Sequence, residues 1–92
     1  MTTFAPVTTL EDLDSLDDDE VTAGYSETER GDPEPGENRG RAYWHGWRVK
    51  MMDLGEIEIP DYHRRLVHES VSSGHFQRRM EAIRKRFEKD AA

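Results

Sequence analysis

The sequence predicts a small all-α protein, a helical hairpin followed by an additional C-terminal amphipathic helix. Three observations carry the prediction. Apolar residues recur mainly at helical spacing, proline and glycine cluster at a few points along the chain, and no cysteine is present to staple irregular loops. With 92 residues, 34% of them hydrophobic and 36% charged, any core must be thin.

Residues 1–19 form an acidic segment in which Leu10, Leu13 and Leu16 lie among Glu11, Asp12 and Asp14. Thr8 with Glu11 fits a capping box and allows a short helix over 9–16. So brief a helix is marginal in water; the segment is expected to be flexible in isolation, its leucines available to dock. Asp17, Asp18, Asp19 and Glu20 suit a helix N-terminus, where the helix dipole favours anions. A helix is therefore expected from about Glu20 to Gly31, stopped by Asp32-Pro33-Glu34-Pro35-Gly36. Asn38 suits the N-cap of a second helix, Arg39 to about Leu54, which Gly55 ends.

On that second helix Tyr43, Trp47, Met51 and Leu54 form one apolar stripe, matched on the first by Val21, Gly24, Tyr25 and Thr28. The pair makes an αα-hairpin over residues 20–54. Gly24 and Gly31 are seven apart and share roughly one face. A helical glycine costs about 1 kcal/mol against alanine, so Gly24 needs a reason. Space for an indole or phenol ring from the second helix supplies one, and Gly46 beside Trp47 invites the same explanation. This spacing puts Tyr43 and Trp47 inside, Trp44 at the border and the arginines outside.

Residues 55–92 read as a helical extension. Glu56-Ile57-Glu58-Ile59 alternates like a very short strand, too short to stand without a partner. Asp61 can cap a helix over 62–72, broken by Ser72-Ser73-Gly74. In the last segment Phe76, Met80, Ile83 and Phe87 repeat at 4-3-4 spacing, an amphipathic helix whose stripe serves a core or a homodimer contact.

Charge divides the chain. Residues 1–37 hold twelve acids and one arginine, whereas residues 38–92 hold twelve basic and eight acidic side chains, together giving −7. The acidic segment is a plausible internal partner for the basic face of the last helix. No phosphate-binding, dinucleotide or nucleophile motif is present, and paired carboxylates are abundant only because acids are abundant. His45, His63, His68 and His75 are too irregularly spaced for one helix face, so no metal or other cofactor and no enzymatic activity are expected. The N-terminus has no basic run before an apolar one, and no apolar run is long enough to span a bilayer. A soluble, cytoplasmic protein with no membrane partner is expected.

The segment GENRGRAYWHGWRVKMMD interleaves Arg39, Arg41, Arg48 and Lys50 with Tyr43, Trp44, His45 and Trp47. Arginine contacts phosphates and aromatic faces stack on unpaired bases. Arg39, Arg41, Trp44, Arg48 and Lys50 are therefore the candidate RNA- or partner-binding residues. Gly24-Tyr25, then Gly31, then after the proline linker Asn38, Tyr43 and Gly46-Trp47-Arg48 with Met51 and Asp53, resemble the ribosome modulation factor family. The resemblance covers about residues 20–54, as in the copies carried by phages and other mobile elements, here with N- and C-terminal extensions.

That resemblance implies a non-enzymatic regulator that binds the ribosome at the small-subunit rRNA and inhibits translation. It marks Gly24, Tyr25, Gly31, Tyr43, Gly46 and Trp47 chiefly as fold determinants. The sequence departs from the family in its net acidity, shorter linker and extra segments at both ends. A second reading follows from the acidic half. The chain is then a mobile-element inhibitor or adaptor, anti-CRISPR-like, binding a basic host protein or nucleoprotein complex. Asp17, Asp18, Asp19 and Glu20 would mimic nucleic acid.

Overall fold

The computed structural model describes the backbone of residues 4–91, with all side chains except those at 86, 87 and 89–91. Among the described residues five α-helices follow one another: α1 Leu10–Asp14, α2 Asp18–Glu27, α3 Arg41–Asp53, α4 Asp61–Ser72 and α5 His75–Ala91. A short 3-10 turn, Glu37–Arg39, precedes α3. The protein is all-α, and among the described residues no strand forms. Glu56–Ile59, expected to be extended and strand-like, is a bend and loop between α3 and α4, because no neighbouring strand is there to accept its backbone.

The acidic run starts α2, two residues earlier than expected. Asp17 is the N-cap, its carboxylate accepting from the backbone N–H groups of Asp19 and Glu20 at 2.9 and 3.3 Å, and Asp18, Asp19 and Glu20 occupy the first turn. The helix ends at Glu27 and not at Gly31. Thr28 turns to extended backbone, and its hydroxyl donates to the Gly24 carbonyl at 2.5 Å. Gly31 therefore does not share a helix face with Gly24; it sits in the following turn with φ +85°. Asn38 is not the cap of α3 either. It lies inside the 3-10 turn, and Gly40, at φ +88°, redirects the chain into α3.

The α2–α3 pair is the most extensive helix contact in the molecule. Two glycines make it possible. A Cβ on Gly24 would overlap the Tyr43 carbonyl oxygen and stand 2.9 Å from its carbonyl carbon. A Cβ on Gly46 would overlap the Val21 carbonyl oxygen and stand 2.8 Å from the Tyr25 nitrogen. The expected guests at these glycines were rings, but what fills the space is the backbone of the opposite helix. The face of α3 turned to α2 runs through Tyr43, Gly46, Lys50 and Asp53, with Lys50 4.6 Å from the centre of the Tyr25 ring and the Tyr25 hydroxyl donating to Asp53 at 2.6 Å.

The core is thin. Its buried apolar side chains are Val7, Trp44, Met51, Met52 and Leu66. Residues 4–14 lie against the rest of the chain: Val7 is only 2% exposed, and α1 touches α4. The cap of α1 is Thr9 and not Thr8, its hydroxyl accepting from Asp12 N at 3.0 Å. Residues 1–3 of the acidic segment lie outside the described residues. At the other end, α4 begins at Asp61 after an extended Pro60 and has no side-chain cap. It packs against α5.

Candidate functional site

Helix α3 presents the candidate site, and the three aromatics on it are arranged otherwise than expected. Trp44 is buried at 4% exposure, whereas Tyr43 and Trp47 are only partly covered. The Phe4 ring packs on Trp44 at 5.7 Å between centroids, tilted by 46°, and the Trp44 indole donates to Glu34 at 3.2 Å. Trp44 is inside because a second layer, the N-terminal segment and the linker, covers it. A two-helix picture contains no such layer.

The cations expected to face outward are largely engaged within the chain. Arg41 makes a two-pronged pair with Asp12, both contacts at 2.6 Å, and donates through Nε to the Ala5 carbonyl at 3.0 Å. This pairing holds the Asp12 carboxyl below its ordinary pKa and raises that of Arg41. Arg48 donates to the Tyr62 hydroxyl at 2.8 Å and lies 5.0 Å from the Trp44 ring. Arg39 sits 3.9 Å from the centre of the Tyr43 ring, 3.7 Å from Glu27, and remains 46% exposed. Lys50 lies against Tyr25, whose phenol is raised in pKa by its hydrogen bond to Asp53.

The acidic candidates divide as well. Asp17 is spent on the α2 cap, and Asp18 pairs with Arg79 of α5. Asp19 and Glu20 are exposed in the first turn of α2. The basic α5 thus does meet the acidic segment, through Arg79, which also reaches Asp14 at 2.9 Å.

A polar relay around that contact was not legible in the sequence. His75 Nε2 lies 2.7 Å from Asp14 Oδ1, and its Nδ1 lies 3.1 Å from the Ser70 hydroxyl, with both Ser70 and His75 buried. The hydrogen bond from His75, and then that from Arg79, holds the Asp14 carboxyl below its ordinary pKa. The sequence contains Ser70 and His75 five apart, but nothing in it points to a carboxylate 61 residues away. His45 is also buried, its pKa pushed down to about 4 chiefly by burial, with His63 and Arg48 adding repulsion. It shares with Leu13, His63, Leu66 and Phe76 a cleft of about 330 Å3 where the acidic segment, the hairpin and the α4–α5 pair converge. Among the described residues no three His, Asp or Glu side chains are grouped to hold a metal ion.

Two further features lie outside the hydrogen-bonded framework. The Trp47 indole nitrogen is enclosed without an acceptor among the described residues, which costs about 1–3 kcal/mol for a buried donor. On the opposite side, Phe76, Met80 and Ile83 of α5 line an apolar cleft of about 630 Å3 with Val21, Tyr25 and Val49. Phe76 and Met80 stay about half exposed there. The Phe87 side chain, the fourth member of the expected stripe, lies outside the described residues.

No protein-family model, curated protein or solved structure matches the chain. No helix among the described residues is long and apolar enough to cross a membrane.

Proposed function

We propose that the protein is a non-enzymatic RNA-binding regulator acting on the small ribosomal subunit, in which the acidic N-terminal segment restrains the RNA-facing helix. One observation carries this reading. Asp12 occupies both prongs of the Arg41 guanidinium, as a phosphate would, and Phe4 covers Trp44 beside it. The segment is thereby a built-in competitor for RNA on α3. The resemblance of residues 20–54 to the ribosome modulation factor family supplies the target, and inhibition of translation in the cytoplasm is the expected consequence. Co-sedimentation of the full chain with the small subunit, measured across salt concentrations, tests the reading. Binding that weakens steeply with salt is expected; absence of binding at low salt would sink the proposal.

A second reading has its own observation. Asp19 and Glu20 in the first turn of α2 stand exposed, in the half of the sequence that carries most of its acid. This favours an adaptor or inhibitor, of mobile-element and anti-CRISPR-like type, that docks on a basic host protein. Neutralising Asp17, Asp18 and Asp19 together would abolish such docking. Self-association through Phe76, Met80, Ile83 and Phe87 remains a separate proposal, supported by the half-exposed Phe76 and Met80. Sedimentation equilibrium tests it directly.

A further inference from the structure

The hairpin carries a cleft whose lining suits a flat polar ligand better than it suits packing. It lies between Pro33 and Pro35 of the linker and the side chains of Arg39, Tyr43 and Trp47, with Glu27 also in the lining, and its volume is about 280 Å3. Three features converge there. The Arg39 guanidinium covers the Tyr43 ring at stacking distance, 3.9 Å, while its own side chain is 46% exposed, so a solvent-reachable cationic plane already lies on an aromatic one. The Trp47 indole lines the same cleft and reports on its occupancy, its own N–H being enclosed without an acceptor among the described residues. The Glu27 carboxylate is 57% exposed, and its contact with Arg39 is long at 3.7 Å.

We propose that this cleft binds an unpaired guanine base. Guanine presents two adjacent donors, N1–H and the N2 amino group, which a single carboxylate accepts together, and on the neighbouring edge two acceptors, O6 and N7. Glu27 supplies the carboxylate and the exposed Arg39 guanidinium a surface on which a base stacks, with the Trp47 indole in the wall beside them. Uracil puts acceptors on both sides of its single ring N–H and is repelled by the carboxylate. Adenine and cytosine each offer only an exocyclic amino group on that edge. A bare phosphate is disfavoured, because Glu27 and Asp32 both line the cleft. The inference rests on the RNA-binding reading and gives it a preference for one base.

The test titrates the full chain with the 5′-monophosphates of guanosine, adenosine, cytidine and uridine, following the indole N–H resonances by NMR. The Trp47 signal is assigned by its loss in Trp47→Phe. The guanosine nucleotide is expected to shift that signal at concentrations about tenfold below the other three, the usual scale for a paired donor–acceptor contact to a base. Glu27→Gln, at an exposed position, should level the preference without unfolding the protein. Arg39→Ala should weaken all four nucleotides together. Equal responses to all four nucleotides, or none, would overturn the proposal. Small-subunit binding without guanine preference would remove the pocket and leave the RNA reading intact. Guanine preference without small-subunit binding would keep the pocket and remove the ribosomal target.

Discussion

The contact between α2 and α3 and the contact between the acidic segment and the rest of the chain are held by different physics. In the first, two backbones touch at Gly24 and Gly46, and no side chain can be added without moving a helix. In the second, carboxylates at Asp12, Asp14 and Asp18 grip Arg41, His75 and Arg79. Packing of the first kind has no competitor in solution, whereas ion pairs can be exchanged for phosphate, salt or protons. The hairpin contact therefore does not answer to salt or acid, whereas the acidic segment, beside its buried Val7, is held by pairs that do.

The largest expected effect breaks the hairpin contact. Gly46→Ala should cost about 3 kcal/mol, the upper range for overpacking, because the new methyl meets backbone that cannot rotate away. Urea or thermal melts followed by circular dichroism measure it. A loss below about 1 kcal/mol would mean that the helices slide apart freely and that the glycine contact is not what fixes them.

Acid probes the junction between the two regions. His45, with its pKa lowered from 6.5 to about 4, binds fewer protons in the folded state than in the unfolded state between those values. Its neutral form stabilises the fold above pH 6.5, and that contribution is lost as pH falls toward 4. The loss amounts to about 2 kcal/mol by pH 5. His63, shifted in the same direction chiefly by burial, adds to it. Asp12 and Asp14, both shifted downward, lose their contribution only at lower pH, as they protonate. Melts at pH 7, 6 and 5 check the trend; stability unchanged down to pH 5 would contradict the burial of His45.

A smaller effect separates the regions. Asp14→Asn weakens the hold on His75 and Arg79 and should cost about 1 kcal/mol, discounted for the exposure of Asp14. Hydrogen exchange should speed up at the start of α5 and leave the α2–α3 amides unchanged. Uniform acceleration across the chain would show that the two regions unfold as one.

The hairpin and its punctuation were legible because they are local: Asp17 to Glu20 at a helix start, Pro33 and Pro35 in the linker, Gly55 and Gly74 at stops. The layer lying over the hairpin was not. A single stripe, Tyr43–Trp47–Met51–Leu54, assumes that α3 has one partner. In fact α3 turns Tyr43, Gly46, Lys50 and Asp53 toward α2 and buries Trp44 under Phe4 and Glu34. Periodicity alone cannot separate a helix with two covered faces from one with a single face. The same limit applied to the site. Sequence picked out Arg39, Arg41, Arg48 and Lys50 by type, but which of them an acid already holds depends on contacts 29 residues apart, such as Asp12 with Arg41.

Neutralising that one acid tests the restrained-binding account most directly. Asp12→Asn removes the negative charge that pairs with Arg41 while keeping a hydrogen-bonding side chain of the same shape. The affinity of the full chain for single-stranded RNA, measured by fluorescence anisotropy at low salt beside the wild type, should rise about fivefold or more, the scale of one released charge-assisted pair. An affinity unchanged or lowered by Asp12→Asn would contradict the claim that the acidic segment competes with RNA for α3.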